Sequence, residues 1–324
     1  MIQKITLALY FTLLTGSLYA QKQVEELIYQ GIEYHDAGAY DKAIETYRQA
    51  LQIDPHAVNA LYEISLSLFE SGDYLAAIAY CDKLLEREDK YAILSYNTKG
   101  SCLNHLDRTD EAIEVFLEGI ERYDAFHSLH YNLGLAYFKK TEYTKAKESF
   151  IHSLNISPQH AGSHLNLGRT LEALDRKIES LLCLYYFLLL EPQTDRSVWA
   201  YQSVQDQLFD LSESKTIFPQ AERRLVDSLM ANEKAAVKEA DALALFTADT
   251  QSFFHAIASI EHRTGGEEGI WWDYYITFFR SLSQKEFTDV FCHYIRFTAQ
   301  EKNQEWMDKN KQKVKSFSQW LKQQ

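Results

Sequence analysis

A spacing of 34 residues constrains this chain more than any other feature. Pro158 and Pro192 stand 34 apart, and counting back from each gives one pattern of small and large residues. Gly31 is followed by Tyr34, Ala43, Tyr47, Ala50 and Pro55; Ser65 by Leu68, Ala77, Cys81 and Leu84; Gly100 by Leu103, Ala112, Phe116 and Gly119. Gly134 is followed by Tyr137, Ala146, Phe150, Ser153 and Pro158, and Gly168 by Leu171, Ser180, Leu184, Phe187 and Pro192. Five units therefore begin near 24, 58, 93, 127 and 161, with one extra residue between the second and the third. Small residues let two helices approach, the aromatics and leucines fill the gap between them, and Pro ends the second helix because it offers no amide donor. With only 12 Gly and 4 Pro in 324 residues, long helices with short connections are expected. No unit of this size buries its apolar face alone, so the stack is the folding unit.

The segments GIEYHDAGAYDKAIETYRQALQIDP and YNLGLAYFKKTEYTKAKESFIHSLNISP carry the pattern most fully. They resemble the tetratricopeptide repeat, a 34-residue helix–turn–helix with Gly, Tyr, Ala, Phe and Pro at fixed places. The resemblance implies an all-α fold: a right-handed superhelical solenoid of about five units, its concave face lined by the first helix of each. It also implies a protein that holds a protein or peptide partner and works without a cofactor. The chain departs from the family pattern in places. The second and third units end in Asp89 and Asp124 rather than Pro, the fifth has LDRK at its turn, and the leading aromatic is replaced by Leu27, Leu61, His130 and His164, with Tyr96 in the third unit. The family's carboxylate clamp needs Lys and Arg where this chain has Ile28, Ile32, Asn97, Ser101 and Gly162, so that clamp is absent.

By the repeat register, the groove lining comprises Tyr62, Leu66, Phe69, Asn97, Ser101, Asn104, Tyr131, Leu135, Phe138, Asn166 and Arg169. Asparagine amides can grip a peptide backbone, and aromatic rings offer apolar pockets. Lys139 and Arg169 are the cations nearest this face.

The domain organisation follows from where the register holds. Residues 1–20 read as a signal peptide: Lys4, then the apolar run ITLALYFTLLTG, then Ala20 as the residue before cleavage. This leads to an exported protein, periplasmic or secreted, with an uncleaved anchor as the rival reading. Residues 21–192 hold the repeats, in units near 24–57, 58–92, 93–126, 127–160 and 161–194. A capping helix with a polar outer face is expected over 195–213, and a compact α-helical domain over 214–324. Within that domain 219–247 is helical in composition, TGGEEG at 264–269 is a linker, and three apolar stripes follow. These begin at Phe253, Trp271 and Phe287, and a final basic helix carries Trp306, Val314, Phe317 and Trp320. The segments WWDYYITFF and EWMDKNKQKVKSFSQWL resemble the tails of secreted repeat proteins from Bacteroidota. LLCLYYFLLL at 181–190 is too short to span a membrane and reads as a core helix.

A formal net charge of −13 repels phosphate backbones, so nucleic acid is not expected as a partner. Metal binding at His127/His130 or His160/His164 has no carboxylate-rich helix beside it. His130 and His164 share a repeat position, so packing accounts for them better. Cys292 and His293 fall on different faces of a helix, and Gly265 and Gly266 lie in an acidic context unsuited to phosphate. Cys81 and Cys102 sit on adjacent helices; buried free thiols are expected over a disulfide. Three functions remain: an interaction scaffold in the cell envelope, a self-assembling component that uses the aromatic C-terminal domain, and an enzyme with an inter-domain site. They are ranked in that order, since no nucleophile motif or metal set is present. The sequence does not set the oligomeric state.

Overall fold

The computed structural model describes residues 2–87, 90–213, 231, 242–259, 270–296 and 301–324. Among these residues every regular element is helical. The first five hairpins pair α1 (Ile2–Asp36) with α2 (Tyr40–Ile53), α3 (Val58–Glu70) with α4 (Tyr74–Leu85), and α5 (Ala92–His105) with α6 (Thr109–Tyr123). They continue with α7 (His127–Lys139) and α8 (Tyr143–Ile156), then α9 (Ala161–Ala173) and α10 (Lys177–Leu190). The chain from Ile2 through the first repeat helix is one helix, α1.

One turn is used five times. Gly38, Gly72, Asp107, Thr141 and Asp175 all sit in the left-handed region, with φ between 56° and 86°. In the third hairpin Asp107 N–H donates to Asn104 O at 3.3 Å and Arg108 N–H to Leu103 O at 2.9 Å. These two bonds close the helix end in a Schellman arrangement, which satisfies carbonyls that the helix itself leaves open. The first two units place Gly at this residue, and the next three accept a side chain there.

Inside the hairpins the small-residue positions do what the pattern demands. A Cβ on Gly31 would lie 2.2 Å from the Tyr47 ring, and one on Gly100 2.4 Å from the Phe116 ring. Tyr47 and Phe116 are fully buried. The 34-residue pattern is thus a record of ring-on-backbone contact.

The described chain forms two compact units, Met1–Ser149 and Phe150–Gln324. In the first, the core runs from Val24, Ile44 and Tyr47 through Ile64 and Leu68 to Cys102, and a second cluster gathers Tyr96, Leu103, Phe116, Leu129 and Leu133. In the second, the fifth repeat belongs with the C-terminal helices, which the repeat count does not reveal. The reason is α10: Leu181 to Leu189 are buried without a break. Tyr185 lies within 5.0 to 5.9 Å, ring to ring, of Phe253, Phe254 and Phe291, and its hydroxyl meets Thr250 Oγ1 at 2.8 Å. A helix apolar all round needs cover on every side.

After α10 comes α11 (Asp195–Glu213), which buries Ala200, Val204, Leu208 and Leu211. Its outer side departs from the expected polar cap, because Val198, Trp199 and Phe209 are exposed. Next are α12 (Ala242–Ala258), a π-helical turn at Trp271–Ile276, α13 (Thr277–Gln284), α14 (Thr288–Ile295), α15 (Glu301–Lys309) and α16 (Lys311–Leu321). The single basic helix expected at the end is two, broken at Asn310, whose side-chain amide donates to Trp306 O at 2.9 Å. Most of 219–247 and the TGGEEG linker lie outside the described residues. A sixth copy of the repeat turn joins α13 to α14: Glu286 has φ 56°, Glu286 N–H donates to Ser283 O, and Phe287 N–H to Leu282 O. The repeat geometry returns here where the 34-residue spacing no longer holds. Among the described residues no helix is long and apolar enough to cross a membrane.

Candidate functional site

In the first unit the four first helices lie side by side, α1 on α3, α3 on α5 and α5 on α7. These helices carry most of the residues that the register assigns to a groove. Tyr62, Leu66, Tyr131 and Leu135 are half-buried. The Tyr62 ring stacks on Tyr91 at 4.8 Å, and burial, helped by the charge of Glu63, pushes its phenol up to about 12. Asn97 and Ser101 form a polar patch with a residue the register omitted: Asn132 Nδ2 donates to Asn97 Oδ1 at 2.8 Å and lies 3.4 Å from Ser101 Oγ. Ser101 Oγ–H donates to Asn97 O at 2.8 Å.

Three assigned residues serve the turn as well. The Phe69 ring packs on Tyr74 at 5.7 Å and the Phe138 ring on Tyr143 at 5.4 Å. His35 packs on Tyr40 at 5.3 Å in the same relation, and in the third unit Thr109 Oγ1–H donates to Asn104 Oδ1 at 3.1 Å. Each contact joins the last turn of a first helix to the start of its own second helix. Phe69, Phe138 and Asn104 thus also clasp their own hairpins. Lys139, expected as a nearby cation, is engaged by Asp107 at 2.5 Å and by Asn104 O at 2.6 Å.

The second unit holds the remaining two. Asn166 is buried and its Nδ2 donates to Gly162 O at 3.0 Å, so it is corrected from groove lining to helix interior. Arg169 is exposed and places its guanidinium 5.4 Å over the Trp199 ring, while an N–H reaches Asn166 Oδ1 at 3.3 Å.

The register also missed Glu63, His35 and Ser67. His35 Nδ1 meets the buried Ser67 Oγ at 2.8 Å. Burial raises the Glu63 carboxyl above its ordinary range; nearby Asp36 adds to the rise and His35 opposes it.

The two paired histidines are structural. His130 Nε2 lies 2.9 Å from Asp124 O, and His164 Nε2 lies 2.8 Å from Pro158 O, the same six-residue step in each unit. Among the described residues no group of three His, Cys, Asp or Glu could hold a metal. All four cysteines are free and buried, and burial raises each thiol well above its usual value, to about 12 for Cys81, Cys102 and Cys292. His293 stacks on Trp306 at 3.7 Å. Gly265 and Gly266 lie outside the described residues.

Residues 31–72 match a TPR repeat family model, and residues 58–91, 93–125 and 127–160 each match a tetratricopeptide repeat model. Residues 31–160 are tetratricopeptide repeats. Solved structures that match part of this chain include a thermophilic TPR protein of Thermus thermophilus, at 20% identity and TM-score 0.49, covering 56% of this chain and 99% of that one. Pseudomonas aeruginosa pilF matches at 20% identity and TM-score 0.48, over 60% of this chain and 92% of its own. MamA from Desulfovibrio magneticus matches at 20% identity and TM-score 0.45, over 53% and 97%. Consecutive tetratricopeptide hairpins followed by further helices make the fold all-α and the architecture that of a protein–protein interaction scaffold.

Proposed function

We propose that this protein is a non-enzymatic scaffold of the cell envelope that holds an extended segment of a partner protein on the face made by α1, α3, α5 and α7. One observation carries the reading. Leu66 and Leu135, at the same place in their units, are half-buried on that face beside the Asn97–Ser101–Asn132 patch. An apolar floor next to orientable amides suits a peptide, whose side chains need pockets and whose backbone needs donors and acceptors. The reading of residues 1–20 as a signal peptide is what supports the compartment. Buried thiols with raised pKa values give no ready nucleophile, in keeping with a binding role. Of the C-terminal aromatics on which self-assembly would draw, Phe253, Phe254, Tyr275, Phe279 and Phe291 are fully buried, which favours the scaffold.

Affinity capture from an envelope extract tests the function, with a Leu66→Asp/Leu135→Asp variant whose helicity is checked by circular dichroism. Loss of partners in the folded variant supports the face; an unchanged set of partners overturns it. Mass spectrometry of the exported protein tests the compartment: a mature N-terminus at Gln21 is expected, and retention of the whole chain in the cytoplasm rejects it.

A further inference from the structure

Charge is unevenly distributed along the four first helices of the first unit. Residues 21–36 of α1 together with α3 hold Glu25, Glu26, Glu33, Asp36, Glu63 and Glu70 against the single cation Lys22, which is itself 3.5 Å from Glu26. On α5 and α7 no carboxylate occurs, and the cations Lys99 and Lys139 are paired with Asp82 and Asp107. Glu63 lies on α3 and feels the charge of Asp36 on α1. Its carboxylate is half-buried, feels repulsion from Asp36 and attraction from His35, and makes no hydrogen bond or ion pair among the described residues; Asp36 itself is exposed. An unpaired half-buried carboxylate costs stability unless something outside the chain meets it. Beside it Tyr62 and Leu66 offer the apolar contact that the stem of a lysine or arginine would cover.

We infer that the α1–α3 half of this face receives a basic segment of the partner, a Lys or Arg side chain meeting Glu63 and Asp36 while its neighbours lie on Tyr62 and Leu66. The inference rests on the proposed peptide-binding face and adds to it the charge and direction of the occupant. The basic part lies over α1 and α3, and the uncharged part continues onto the amide patch of α5 and α7.

Fluorescence anisotropy on the full chain tests this with three synthetic 12-residue probes: one of Lys, Leu, Ser and Gly, and two in which Gln or Glu replaces every Lys. The Lys probe is expected to bind best and to weaken as salt rises from low to high concentration. Glu63→Gln should weaken it about tenfold, the size of one charge-assisted hydrogen bond. Glu45→Gln, on the exposed side of α2, should leave it unchanged. If the Gln probe binds as tightly as the Lys probe and both are lost in Leu66→Asp/Leu135→Asp, the peptide face stands and the basic occupant is overturned. Equal weakening by Glu45→Gln and Glu63→Gln also overturns it, since the effect would then be net charge alone. If none of the probes binds, both the inference and the face fall.

Discussion

Tyr275 donates its hydroxyl hydrogen to Nδ1 of His164 across 2.6 Å, joining a helix of the fifth repeat to the π-helical turn of the C-terminal helices. The direction follows from the other ring nitrogen. His164 Nε2 faces Pro158 O, which can only accept, so Nε2 carries the proton and Nδ1 is left as the acceptor. Both side chains are fully buried. Tyr275→Phe leaves Nδ1 without its donor and should cost about 1–3 kcal/mol in denaturant unfolding. A loss below about half a kcal/mol would show that the bond contributes nothing net.

The same histidine gives a pH dependence. Burial lowers its pKa from 6.5 to about 4, against an opposing push from the Pro158 carbonyl. The unfolded chain thus binds a proton that the folded chain refuses between those values. The contribution of His164 is present above pH 6.5, falls as pH drops toward 4, and is fully lost below. NMR titration should find the ring neutral at pH 5, with the proton on Nε2. A midpoint near 6.5 would contradict the buried geometry.

Glu63 has the opposite sign. Its folded pKa is raised, so the fold favours the protonated acid, and ionisation destabilises the native state as pH rises through that value. Glu63→Gln should raise the melting temperature at pH 7 by about a few degrees and lose the advantage near pH 4. A melting temperature that falls at pH 7 would mean the carboxylate has a stabilising partner.

Helix contact at the small positions sets a fourth expectation. Gly100→Ala drives a Cβ to 2.4 Å from the buried Phe116 ring, and Gly168→Ala drives one to 2.8 Å from a Leu184 methyl. Each should destabilise by about 1–3 kcal/mol, with Gly100→Ala the worse because a packed ring yields less than a leucine methyl. Thermal melts of the two variants give the order directly.

At the turns, Thr141 holds a β-branched side chain at φ 60° where the first two units have Gly. Thr141→Gly should stabilise by about 0.5–1 kcal/mol, the left-handed strain removed exceeding the chain entropy added. Loss of stability would mean the threonine side chain contributes more than its strain costs.

What the sequence determined by itself is the set of contacts that recur. The small residue against the large one, Gly31 on Tyr47 and Gly100 on Phe116, depends on neighbours a fixed distance along the chain, so the 34-residue spacing states it outright. The turns were legible for the same reason. The face residues were legible only in part. Tyr62, Leu66 and Leu135 are half-buried, and Phe69 and Phe138 also clasp Tyr74 and Tyr143, a local pairing that a count of surface positions overlooks. Tertiary structure alone decided the rest. Asn166 is buried, and Tyr185 of α10 meets residues more than sixty positions further on, which no spacing encodes. The sixth turn at Glu286 was hidden likewise: a Schellman turn needs only a tolerated φ and two carbonyls, and many sequences supply them. Glu63 shows the difference most plainly, since its charge is written in the sequence but its lack of a partner is a property of the space around it.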